Sequence, residues 1–326
     1  MSVNMRYSRR QNGFTLVELL VAMSMGLIAL SVMFTLFRTS NRSYVLQDYM
    51  AEMQQNLRMA MYYISRDVRM AGCGMNLLSA LVPSVQIFNG SESTWTFLLP
   101  VKPGNATNAP DTIEVFYGDI NNGEYDATIT QPMPDASSEL NVDTSNPFSV
   151  GDTVIISDGV TACLFVISEV QDVALKLQHN PAESPFNPPA AFKAFPQGGG
   201  YGTGSRLYNF GSSRWVTYSI DRVSDPDHPT LVADLHDGTT PQVIADNIED
   251  IQFYYFMEGV PDTHDPTGNE RRIRAVRISI IARTAEPDRD SVVFRSENLE
   301  DHAVGAVSAD GYRRQVLSTM IRVRNM

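Results

Sequence analysis

GFTLVELLVAMSMGLIALSVMFTLF, residues Gly13 to Phe37, decides how the rest of the 326-residue sequence is read. From Phe14 onward the run is apolar except for Glu18 and a few small hydroxyl residues, and it exceeds the about 20 residues that cross a bilayer as a helix. The preceding Met1 to Gly13 is polar and carries Arg6, Arg9 and Arg10 with no acid. Basic residues stay on the cytoplasmic side, so this orientation exports everything after Phe37. A secretory signal would end a shorter apolar stretch in a small-residue A-x-A site. None occurs between Met33 and Tyr44, so the segment is expected to be retained.

Glu18 is the anomaly in this run. An ionised carboxylate in a membrane helix costs on the order of a few kcal/mol unless it is paired or snorkels to the interface, so it marks a candidate functional residue. Its neighbours sharpen the reading, because Gly13-Phe14-Thr15-Leu16-Val17-Glu18 resembles the class III signal of type IV pilins and type II secretion pseudopilins. The resemblance implies that a prepilin peptidase cuts between Gly13 and Phe14 and methylates the new Phe14 amine. Loss of the three leader arginines would lower the formal charge from −12 to −15. It also implies that Glu18 is an assembly residue, neutralising the terminal amine of a neighbouring subunit and requiring a partner on its tip-ward side.

The helical pattern continues past the apolar run. Leu46, Met50, Met53, Leu57, Ala60, Ile64, Val68 and Ala71 recur at alternating steps of four and three, the spacing of one buried stripe. No proline occurs before Pro83, so a single helix is expected from about Phe14 to Met70, with Gly72-Cys73-Gly74 as its stop. The expected division is a leader over 1–13, a transmembrane and assembly helix over 14–37, an amphipathic helix packing on the head over 38–72, and a β-rich head over 73–326.

Beyond Gly74 the chain breaks into short β-prone runs. Strands are expected at Thr94 to Leu99, Thr112 to Tyr117, Thr153 to Ser157, Cys163 to Val170, Trp215 to Ile220, Leu231 to Leu235, Ile251 to Met257, Ala275 to Ala282 and Gln315 to Val323. The stretches Val101 to Pro110, Gln131 to Pro147, Asn180 to Gly204 and Gly259 to Asn269 are rich in turn residues and are expected as surface connections. With no βαβ alternation visible, the fold class is α+β, a long N-terminal helix carrying a mostly antiparallel head.

Parts of the head resemble PilW-type minor pilins of type IV pili. These are Met70-Ala71-Gly72-Cys73-Gly74, the stretch from Gly151 to Asp158 followed by Leu164-Phe165-Val166, the segment from Ile248 to Tyr255, and Ile321 to Asn325. The resemblance implies a scaffold that gathers with other minor and major pilins in the inner membrane, uses the prepilin peptidase and the pilus assembly machinery, and primes a filament near whose tip it ends. Three other readings stand beside it. They are a J-type minor pseudopilin of type II secretion, a pilus-displayed adhesin, and an uncleaved single-span binding protein.

Competing chemistry is thin. Acids outnumber bases 37 to 25, and no long basic cluster lies outside the leader, so nucleic acid is not an expected partner. Gly198 to Gly204 contains a GxGxxG-like register without a strand–helix frame, which reads as a flexible loop rather than a phosphate cradle. The five histidines lack HxxH spacing and no G-x-S-x-G elbow occurs, so no catalytic residue, metal or cofactor is assigned and the chain is not read as an enzyme. Asp119, Asn121 and Glu124, or Asp262, Asp265, Asn269 and Glu270, depart from the EF-hand pattern and read as acidic loops. In an oxidising compartment Cys73 and Cys163 are expected to form a disulfide worth about 4–5 kcal/mol in the chain-entropy picture. The alternative is two buried free thiols.

Overall fold

The computed structural model describes residues 13–75, 85–89, 94–118, 126–181, 183–196, 198–288, 299–302 and 310–324. Arg6, Arg9 and Arg10 of the leader, and Asp119, Asn121 and Glu124, lie outside them. The chain divides into two compact units, Met1–Ala51 and Glu52–Met326.

One helix runs over Leu16–Met70, 55 residues or ~83 Å at 1.5 Å per residue. In the second unit its expected stripe is inward-facing, with Met53, Leu57, Ala60, Ile64 and Val68 at most 2% exposed. Burial of Met53, Leu57, Ile64 and Val68 contributes roughly 1.5–3 kcal/mol each, far more than helix propensity alone. Gly72 and Gly74 adopt left-handed φ of 72° and 83°, which ends the helix without a Cβ penalty. The Cys73 amide donates to Met70 O (2.9 Å), and the Gly72 amide to Phe116 O (2.9 Å), so the stop is also a tie to strand Thr112–Tyr117.

Four sheets make up the described β structure. A five-stranded antiparallel sheet is ordered Gln242–Ala245, Thr230–Asp234, Arg214–Asp221, Thr112–Tyr117, Val101–Gly104, and a three-stranded one Ile248–Met257, Ile273–Arg283, Arg314–Arg322. Both contribute to the cluster that receives the helix stripe, through Val115, Val216, Tyr218 and Leu231 from the first and Ile251, Phe253, Ile278 and Ile280 from the second. A six-stranded sheet, whose inner pair is Thr153–Ser157 with Ala162–Val166, separates two further clusters. Val154, Ile156, Cys163 and Phe165 face one, while Ile155, Ala162 and Leu164 face the other. Burial on both faces is why these strands read as continuous apolar runs. Strand Val85–Asn89 pairs in parallel with Ala162–Val166, and every other strand pair described is antiparallel.

Three of the expected surface connections differ from expectation, the first being Gln131 to Pro147, which pairs Leu140–Asn141 into a sheet and places Met133, Ala136, Leu140 and Val142 in a core cluster. Val101–Gly104 is a strand despite Pro103, because it lies at a sheet edge where one missing N–H faces away from the ladder. Asn180 to Gly204 folds back onto the head: Asn187 is buried, its Oδ1 accepting from Val166 N (2.8 Å) and its Nδ2 donating to Val166 O (2.8 Å), so one side chain serves as an edge strand.

Candidate assembly site

Gly13 and Phe14 are both exposed, Phe14 at 88%, and among the described residues no heavy atom lies within 4 Å of where a Gly13 Cβ would sit. Just beyond them Thr15 and Glu18, three residues apart, close a capping box. The Glu18 carboxylate accepts from Thr15 N (2.9 Å) and Thr15 Oγ1 (3.0 Å), and the Glu18 amide donates to Thr15 Oγ1 (3.3 Å). Both contacts to the carboxylate fall on Oε2, which leaves Oε1 available to a further donor. Sequence reasoning sought the partner of Glu18 on a neighbouring subunit and missed this one, although its signal, Thr followed three residues later by Glu before an apolar run, is in plain view.

From Leu16 to Phe37 every large apolar side chain is exposed, from 46% at Val21 to 76% at Leu16. The hydroxyls among them turn inward to their own backbone: Ser24 donates to Val21 O, Ser31 to Leu27 O, Thr35 to Ser31 O and Thr39 to Thr35 O, all at 2.8–3.0 Å. The outer surface of the segment is thereby left apolar, as a hydrocarbon environment requires. Among the described residues this is the one helix long and apolar enough to cross a membrane.

In the head, a buried carboxylate joins the helix to the five-stranded sheet. Asp67 is fully buried and accepts from Tyr218 Oη (2.6 Å), Tyr117 Oη (2.9 Å) and Arg66 Nε (2.7 Å), with Arg214 Nε 3.3 Å away. Burial, reinforced by the Asp67 charge, pushes the Tyr117 phenol up to about 12, so both tyrosines remain donors at any physiological pH. This clamp was not anticipated, yet Asp67 stands three residues after Ile64 on the apolar stripe, a position where a carboxylate must find partners.

The expected bridge between Cys73 and Cys163 is absent, and both are free thiols. Strand alternation gives the reason. Cys163 faces the cluster that holds Phe165 and Tyr201, whereas Cys73, whose carbonyl accepts from Gly118 N (3.0 Å), adjoins Met75 and Phe116 of the cluster on the sheet's other face. Burial pushes the Cys163 thiol up to about 12. The glycine-rich stretch is also less free than expected. A Cβ on Gly200 would sit 2.3 Å from Met133 O, and the adjoining Tyr201, 1% exposed, exchanges backbone hydrogen bonds with Met133. Asp262, Asp265 and Glu270 each accept from a nearby backbone amide, of Met257, Thr267 and Gly268 respectively. Among the described residues no group of three His, Cys, Asp or Glu side chains is placed to hold a metal ion.

Comparison with known proteins gives two family matches. Residues 217–325 match the Type IV Pilus-assembly protein W family, and residues 8–34 match the prokaryotic N-terminal methylation motif. The first span covers the stretches from Ile248 and from Ile321 singled out in the sequence; those at Met70 and Gly151 lie outside it. A pilin-like protein, PilA3, of Thermus thermophilus is 28% identical over 109 residues, which is 33% of this chain and 42% of the relative. The chain thus spans less than half the length of that relative. Among solved structures, a type IV-like pilin from Thermus thermophilus aligns over 83% of this chain and 97% of its own, with a TM-score of 0.35 and 8% identity.

Proposed function

With the chain a type IV pilin-like minor pilin of the PilW kind, we propose that it primes type IV pilus assembly in the inner membrane and is then incorporated near the filament tip. The observation that carries this reading is a methylation motif over residues 8–34 set on a helix whose apolar side chains are exposed from Leu16 to Phe37. Such a surface, once drawn from lipid, needs another apolar environment, which a bundle of like helices from other pilins supplies.

On this reading the prepilin peptidase cuts between Gly13 and Phe14, Phe14 is methylated, and the head lies in the periplasm before export. Glu18 keeps its cap to Thr15 through Oε2 while Oε1 meets the terminal ammonium of an adjacent subunit, a pairing that regains desolvation cost and sets the axial stagger. The role is structural rather than catalytic, and its partners are pilins and the assembly machinery. The test is Glu18→Ala at wild-type protein level. We expect normal membrane insertion and leader cleavage, weaker co-purification with partner minor pilins, and fewer filaments. Unchanged complex recovery and filament number would make Glu18 a helix cap and nothing more.

A further inference from the structure

We propose that strand Arg314–Arg322 is a docking edge which accepts an antiparallel β-strand from a second, different polypeptide bearing carboxylates at the end that meets Arg322. The inference concerns the head alone and does not depend on the priming role.

Arg314–Arg322 is a terminal strand of its three-stranded sheet and pairs with Ile273–Arg283 over nine residues without a register shift. The Val323 amide donates to Arg274 O (3.0 Å) and the Thr284 amide to Arg313 O (2.9 Å), which fixes the phase of the ladder. Odd-numbered residues of the edge strand bond inward, so the N–H and C=O groups of Val316, Ser318, Met320 and Arg322 point outward. Among the described residues no backbone hydrogen bond meets them outside the sheet. Of the usual protections of an edge, a proline, a bulge and a short strand are missing here, and charge is confined to Arg314 and Arg322 at its two ends. Val316 and Met320 are 45% and 63% exposed, which offers alternate apolar contacts to an added strand.

Charge selects the occupant. At one end Arg314 and Arg283 are balanced by Glu249 and Asp310. At the other, Arg322 and Arg324 are exposed on one face of the sheet, whereas Arg274, across from Val323, lies on the opposite face and is paired with Glu258. A cationic corner on a chain of formal charge −12 calls for a carboxylate-bearing neighbour. A second copy paired antiparallel about Ser318 would place Arg322 against the already balanced Arg314 end and leave that corner uncompensated.

Residue-resolved amide exchange on the full chain in detergent micelles tests the proposal. The probes are a synthetic strand peptide of alternating Val and Thr with two terminal glutamates, and its counterpart with lysines. In the chain alone, Val316, Ser318, Met320 and Arg322 should exchange about 100-fold faster than Leu317, Thr319 and Ile321. The glutamate peptide should slow those four amides by about 10-fold or more, and the lysine peptide should not. Met320→Pro removes an outward N–H and no ladder bond, so it should abolish the effect while Leu317 stays protected. Arg322→Glu should reverse the peptide preference and tests the charge even if the proline variant does not fold. Outward amides already slow in the chain alone, protection that rises with protein concentration without peptide, equal effects of both peptides, or no effect of either would each overturn the proposal.

Discussion

Asp67 shows how one side chain can hold an element in place. With two phenols and two guanidinium groups around it, the carboxylate's desolvation is offset, but each donor depends on it in return. Asp67→Ala should therefore lower the stability of the head by about 3 kcal/mol, since it strands buried hydroxyls and Arg214 together. Chemical denaturation of the full chain in micelles reads this as a shifted midpoint, and an unshifted one would mean that water replaces the carboxylate. Asp111 gives a second expectation at this scale. It is 1% exposed, accepts from Ala106 N (2.7 Å) and Phe253 N (3.0 Å), and burial pushes it up to about 6. Between about pH 4 and 6 the folded chain then holds a proton that the unfolded chain has lost, so this residue's contribution falls as pH rises. Across that window wild type should lose up to roughly 3 kcal/mol relative to Asp111→Asn, in which the titration is removed. A constant difference between the two would show that Asp111 titrates normally.

Among the elements, what was legible depended on whether burial left a mark on the pattern. The long helix was readable because its stripe is periodic, and Thr112–Tyr117 and Thr153–Ser157 because they are apolar and β-branched. Ala127–Thr128, Leu140–Asn141 and Lys176–Gln178 were not, being two or three residues long and held by tertiary pairing rather than by propensity. The cysteines failed for a related reason. Compartment and count argued for a bridge, but only strand alternation says which face Cys163 occupies. Alkylation of the denatured, unreduced chain should label both Cys73 and Cys163, and in the native chain Cys73 should react much the faster, since Cys163 is buried with its thiol pushed up to about 12. A chain that takes no label after denaturation would restore the disulfide.

For the whole molecule, the decisive information is concentrated in the first tenth of the sequence. The motif at Gly13 to Glu18 and the apolar run after it were legible because membranes and processing enzymes read local chemistry. The capping box was written there too, as Thr15 followed three residues later by Glu18, and the structure shows that Glu18 serves its own helix. The assembly role proposed for the mature protein, with its exposed helix as the assembly surface and Glu18 as the link between subunits, presupposes that the leader is removed at one bond. The most direct measurement is the mass of the chain's N-terminal peptide, isolated from cells that possess the peptidase. The account predicts an N-methylated Phe14 terminus, with residues 1–13 gone. An intact Met1 terminus, or a cut at any other bond, would contradict it.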